Sequence, residues 1–91
     1  MKLDIIASNK FRKDLKLAKK RGLSLDKLEL VVETLASQVP LDKKYKDHAL
    51  TGNYAEFREC HIEPDWLLIY RQDTEVLELF LFRTGSHSDL F

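Results

Sequence analysis

Three histidines, His48, His61 and His87, stand in the second half of a 91-residue chain, among Arg58, Asp65, Arg71, Arg83 and the terminal Phe91. Imidazole both takes and gives a proton near neutral pH, its ordinary pKa being about 6.5. Cleavage of an RNA phosphodiester by its own 2′-hydroxyl needs three things: a base for the hydroxyl proton, an acid for the leaving 5′-oxygen, and cationic donors for charge on the phosphoryl oxygens. The histidines, Asp65 and Arg83 are of the types that fill these roles, with no metal or cofactor required. DNA lacks the 2′-hydroxyl and is excluded from this path. Metal binding is the competing use of histidine, but the chain has no helical His pair, no CxxC and no HExxH. A P-loop is also absent.

These side chains need elements to hold them. Leu3, Ile5 and Ile6 mark a first strand over Lys2 to Ala7. From Ser8 to Arg21 the apolar residues Phe11, Leu15 and Ala18 recur at helical spacing, with Ser8 as N-cap and Gly22 as the left-handed residue that ends the turn. A second helix is expected from about Ser24 to Ser37 on the stripe Leu28, Val31, Val32 and Leu35, and the short link makes the two an antiparallel hairpin. Residues 41–53 read as a connecting segment. Strands follow at about Tyr54 to Glu63, Trp66 to Gln72 and Glu75 to Arg83, separated by turns at Pro64-Asp65 and Asp73-Thr74.

The fold class expected is therefore α+β: an N-terminal strand, a helical hairpin, and a three-stranded antiparallel meander, making a four-stranded sheet in a single domain, residues 1–91. The hairpin covers one sheet face and leaves the other free for a site. Strand alternation places Phe57, Glu59 and His61 on one face and Arg58, Cys60 and Ile62 on the other, so Cys60 and His61 do not form a nucleophilic pair. Cys60 reads as a buried strand cysteine. Leu77, Leu79, Leu81 and Arg83 share a face, and Gly85 lets the following turn approach a ligand closely. Trp66 reads as core, with base stacking as its functional alternative.

Net charge is zero, but residues 1–46 carry 12 Lys and Arg against 6 Asp and Glu, and residues 47–91 carry 3 against 9. Most of the basic excess lies between Lys10 and Arg21, opposed there only by Asp14. Such asymmetry favours a polyanionic partner, with an acidic protein as the other candidate. No apolar run approaches the roughly 20 residues of a membrane span, and the N-terminus lacks a signal-peptide core. The single cysteine fits a reducing compartment, and a cytoplasmic location is expected.

Three ordered blocks resemble the YafQ branch of the RelE/ParE toxin superfamily: Lys46-Asp47-His48-x-Leu50-x-Gly52, His61-x-Glu63-Pro64-Asp65-Trp66-x-Leu68-Ile69-Tyr70, and Arg83-Thr84-Gly85-Ser86-His87-x-x-Leu90-Phe91. The run Lys13-Asp14-x-Lys16-Leu17-Ala18-x-Lys20-Arg21 is similar too. The resemblance spans the chain and implies a RelE-like fold. It also implies a bacterial type II toxin that acts as a ribosome-dependent endoribonuclease, cutting messenger RNA in the A site by metal-independent acid-base catalysis and arresting translation. By the same resemblance His48, His61, Asp65, Arg83 and His87 line the active site, with His87 as acid, His48, His61 or Asp65 on the base side, and Arg83 on the phosphoryl charge. Phe91 and Trp66 are then candidate substrate contacts, and Lys13, Lys16 and Lys20 would meet RNA phosphates. The implied partners are the ribosome and its message, an adjacently encoded DinJ-like antitoxin, and operator DNA through that antitoxin. The alternative is a ParE-like toxin that grips DNA gyrase without chemistry of its own. A plain protein-binding module is a third possibility.

Overall fold

A computed structural model describes residues 1–91. In chain order it contains β1 (Asp4–Ala7), α1 (Asn9–Lys20), α2 (Leu25–Ala36), β2 (His48–Ala49), β3 (Arg58–Glu63), β4 (Trp66–Asp73), β5 (Glu78–Gly85) and α3 (His87–Leu90). Short 3-10 turns occupy Lys43–Tyr45 and Gly52–Tyr54. The sheet has five strands in the order β1-β5-β4-β3-β2, one more than expected. The extra strand is two residues in the connecting segment, too short to carry an alternation signal, and it pairs antiparallel with β3. β1 runs parallel to β5, so the sheet is mixed.

The helical hairpin forms as its sequence dictates. The Ser8 hydroxyl accepts the Phe11 amide at 2.9 Å and itself donates to the Phe82 carbonyl at 2.6 Å, tying the start of α1 to β5. At the other end Gly22 adopts φ 75°, and the Leu23 amide reaches back to the Ala18 carbonyl. Phe11, Ala18, Leu28, Val31 and Leu35 then bury against Cys60, Ile62, Trp66, Leu68, Tyr70, Leu79 and Leu81. That is one continuous core between the hairpin and one face of the sheet. No helix is long and apolar enough to cross a membrane.

Of two side-chain directions, the one expected for Trp66 holds and the one expected for Arg83 does not. Trp66 is 2% exposed, its indole Nε1–H donating to the Thr84 hydroxyl at 2.9 Å. It is a core residue with its polar atom satisfied, and offers no surface on which a base can stack. The change concerns Arg83. Pairing along β4 and β5 runs Leu68↔Thr84, Ile69↔Arg83, then Tyr70↔Leu81, so Phe82 is an extra residue in β5. This bulge breaks the strict alternation and turns Arg83 away from the Leu79 and Leu81 face, onto the face of Ile69. A one-residue insertion thereby starts the Arg83 side chain on the open side of the sheet, from which its guanidinium reaches Asp14 of α1.

Candidate active site

The open face is read most directly from the register. His48 pairs with Glu59, Glu59 with Ile69, and Ile69 with Arg83, so these four residues form one row across β2, β3, β4 and β5. Directly opposed residues share a face. The next row is His61, Leu67 and Gly85. Leu67 and Ile69, both fully buried, form the apolar floor between the histidines and Arg83.

His48 is placed by residues before it. Lys46 has φ 50°, and Asp47 accepts from Arg58 Nε at 3.3 Å and Nη2 at 3.2 Å and from the Tyr70 hydroxyl. Burial, then the Asp47 carboxylate, pushes the Tyr70 phenol well above its ordinary range, and Asp47 raises that of Arg58. Asp47 thus anchors the segment to β3 and β4, and the His48 ring follows. Its Nδ1 donates to the Lys46 carbonyl at 2.7 Å, while its Nε2 lies 3.2 Å from a Glu59 carboxylate oxygen.

Glu59 is the buried acid of this face, 6% exposed, and the same carboxylate oxygen lies 3.6 Å from His61 Nε2. A buried carboxylate needs partners, and here both are imidazoles. The spacing of charged residues gave no sign of this role; only the pairing of Glu59 with His48 reveals it. Glu59→Gln, which keeps the shape and removes the charge, is expected to slow message cleavage about tenfold or more with a smaller effect on the unfolding midpoint. Single-turnover cleavage alongside thermal unfolding measures both.

His87 comes from the opposite side. β5 runs through Thr84 to Gly85, two residues further than the turn expected there, and Ser86 then caps α3 with a capping box completed by Asp89. Gly85 serves this fold-back. A side chain at Gly85 would meet Asp89 at 3.0 Å, so the glycine permits a close approach of the protein's own tail. Arg21 clamps Asp89 at 2.6 and 3.2 Å, and this bond, with the Ser86 amide, holds the Asp89 carboxyl far below its usual range.

Asp65, in the β3–β4 turn, accepts from the His87 amide at 3.0 Å and from His87 Nδ1 at 2.7 Å. These two bonds lower the Asp65 carboxyl below its ordinary value. The sign follows: a depressed carboxyl stabilises the folded state above its unfolded pKa, and the contribution is lost only as pH falls through the lower folded value. Protection of the His87 amide is therefore expected to persist on acidification until below about pH 4, the ordinary carboxylate range. Amide exchange followed across an acid titration checks this.

The result is two facing groups. The His61 and His87 rings lie 5.6 Å apart between centroids, and His48 and His61 6.3 Å apart. Beside them Phe57 and Phe82 stack at 4.6 Å, and Tyr54 meets Phe91 edge-on at 6.0 Å. Phe91 is 62% exposed. Tyr54, sandwiched between Phe82 and Phe91, is a site-face aromatic that the sequence had placed only at the start of a strand. Lys13, Lys16 and Lys20 are exposed on α1, part of the hairpin that covers the other sheet face, and do not join this cluster. Cys60 is fully buried on that other face, and burial pushes its thiol up to about 12, so it takes no part in proton traffic here.

A family model described as "Bacterial toxin of type II toxin-antitoxin system, YafQ" matches residues 3–91. The mRNA interferase toxin YafQ of Escherichia coli K12 is 42% identical over 89 residues, covering 97% of this chain and 95% of its own length. The fold superposes on YafQ in the crystal structure of the E. coli DinJ-YafQ toxin-antitoxin complex with a TM-score of 0.90 at 40% identity, over 100% of this chain and 99% of that one. A metal-bound toxin from Helicobacter pylori matches with a TM-score of 0.92 at 52% identity, over 98% of this chain and 99% of the other. Match and geometry run the full length of the fold together: the chain belongs to the YafQ family of bacterial toxins of type II toxin-antitoxin systems.

Proposed function

We propose that this toxin is a ribosome-dependent endoribonuclease that cuts messenger RNA in the A site, using its own side chains as acid and base. The observation that carries the reading is the pair of facing groups on the open sheet face, His48-Glu59-His61 on one side and His87-Asp65 on the other. A substrate phosphate resting over Leu67 and Ile69 would lie between them, with Arg83 at the far end of the same row.

In the reaction, the 2′-oxygen bonds to phosphorus and the bond from phosphorus to the 5′-oxygen breaks. The histidines joined through Glu59 take the 2′-hydroxyl proton. His87 gives a proton to the leaving 5′-oxygen. Because its Nδ1 donates to Asp65, its Nε2 is the nitrogen directed at substrate. Asp65 is therefore a positioning residue for the acid, a different role from the base-side one expected for it. Arg83 stabilises charge on the non-bridging oxygens, and Phe91 with Tyr54 offers an aromatic edge on which a base can stack.

The ribosome would supply the ordered message, and the exposed lysines of α1 its electrostatic contact. YafQ of E. coli forms a toxin-antitoxin complex with DinJ, and an antitoxin of that kind, encoded beside this toxin, would cover this face and silence it. Purified protein added to translating ribosomes tests the reading. Cleaved messages with ends at A-site codons are expected, and uncut message in ribosome-free mixtures. Intact messages with normal protein synthesis would contradict it.

A further inference from the structure

Asp14 is the lone acid in the basic run from Lys10 to Arg21. It lies three residues after Phe11 and four before Ala18, on the buried stripe of α1, and its side chain is 13% exposed. A carboxylate there must be fully partnered. Its partners are all on β5: Arg83 Nε donates at 2.7 Å, Arg83 Nη2 at 3.0 Å and the Thr84 amide at 3.1 Å.

The reason lies in the sheet. β1 pairs with β5 only as far as Ala7↔Leu81, so beyond that point the β1 side of β5 has no strand neighbour. Ser8 takes over first, its amide donating to the Leu81 carbonyl and its hydroxyl to the Phe82 carbonyl. Asp14 takes over next, accepting the Thr84 amide that a longer β1 would have accepted. The same carboxylate grips the Nε/Nη2 edge of Arg83, just where the Phe82 bulge has turned that side chain onto the open face.

We propose that Asp14 is a positioning residue for catalysis: it fixes the plane of the Arg83 guanidinium and leaves Nη1, with the outer hydrogen of Nη2, as the donors for a phosphoryl oxygen. This rests on the ribonuclease reading above. An arginine on a rim would otherwise sample many rotamers, and the ordering would have to occur at each encounter with substrate. With two donors already engaged, the guanidinium is preorganised as a fixed cation, and Asp14 keeps it protonated by raising its pKa further. The acid in the basic helix thus has a purpose that its sequence context hides.

Asp14→Asn tests this. The amide oxygen can accept at most two of the three hydrogen bonds, and in either orientation the NH2 group faces an Arg83 donor, so the two-point grip on the guanidinium is lost. The rate at saturating ribosomes is expected to fall about 10- to 100-fold with little change in KM, the scale of loss for a misplaced catalytic group. In an Arg83→Ala background the same substitution is expected to change the residual rate less than twofold, since there is no guanidinium left to place. Asp14→Glu, which keeps the charge, is expected to recover part of the rate. The Arg83 side-chain Hε signal, protected from exchange in the parent, becomes fast-exchanging in Asp14→Asn, a readout independent of cleavage. An equal loss of rate in both backgrounds would mean that Asp14 only supports the fold and would overturn the proposal, as would an unchanged rate in Asp14→Asn with Hε exposed. A parent protein that leaves messages whole overturns the ribonuclease reading itself, whatever Arg83 Hε shows.

Discussion

His87→Ala is expected to slow single-turnover message cleavage on ribosomes by about 10² to 10⁴-fold, the usual contribution of a positioned acid or base. Its side chain is half exposed and supports no core contact, so the unfolding midpoint should barely move. Asp65→Asn should cost less, since the acid remains present but is no longer oriented by the carboxylate. The double variant should be little worse than His87→Ala alone, because the carboxylate acts through the ring it holds at 2.7 Å. This also separates the enzyme from a gyrase-gripping toxin: growth arrest that survives His87→Ala would speak for the binder. Rate measurements on stalled ribosome complexes, paired with thermal unfolding, read both sides of the prediction.

The second large effect is on stability. Trp66→Ala is expected to remove about 3 to 5 kcal/mol, a large share of the roughly 5 to 15 kcal/mol by which a domain of this size is stable. The indole is 2% exposed, fills the core beneath β4, and caps the Thr84 hydroxyl, which in turn donates to the Leu67 carbonyl at 2.6 Å. Losing it opens a cavity and leaves a buried hydroxyl with one partner fewer. Trp66→Phe should retain most of the packing and lose chiefly the hydrogen bond. Urea unfolding of the three proteins checks the order. If Trp66 were instead a stacking surface for RNA, Trp66→Ala would weaken substrate binding with stability intact.

The fold was legible wherever local chemistry decides. Ser8, Phe11, Leu15, Ala18 and Gly22 spell a capped amphipathic helix, and the turn at Pro64-Asp65 marks a hairpin, so both appear where periodicity puts them. What periodicity cannot carry is pairing between distant strands. The two residues of β2 pair with β3 beside an Asp47 anchored by Arg58 and Tyr70, and those contacts span 11 and 23 positions. The Phe82 bulge is likewise invisible in a run of apolar residues, and it alone decides which face Arg83 occupies.

For the site, the histidines were visible by type and Asp65 by its block, but their roles come from contacts. Asp65 was open between base and support for the base, and its contact with His87 Nδ1 supports the positioning role proposed for it. Glu59 and Asp14 were missed as anything more than a strand position and a counter-charge. Asp14 is an acid on an apolar helix stripe, and that is the signal that could have found it, since such a residue must have a partner. For Trp66 the core reading of its pattern agrees with its burial, against the substrate contact kept beside it as the alternative.

The central claim is that the open face cleaves RNA through attack of its own 2′-hydroxyl. The chemical nature of the new ends tests it most directly. Message cut by the purified toxin on ribosomes should carry a 2′,3′-cyclic phosphate on the upstream fragment and a 5′-hydroxyl on the downstream one, and a single 2′-deoxy substitution at the scissile nucleotide should abolish the cut. A 3′-hydroxyl with a 5′-phosphate, or cleavage that persists at the deoxy position, would contradict it.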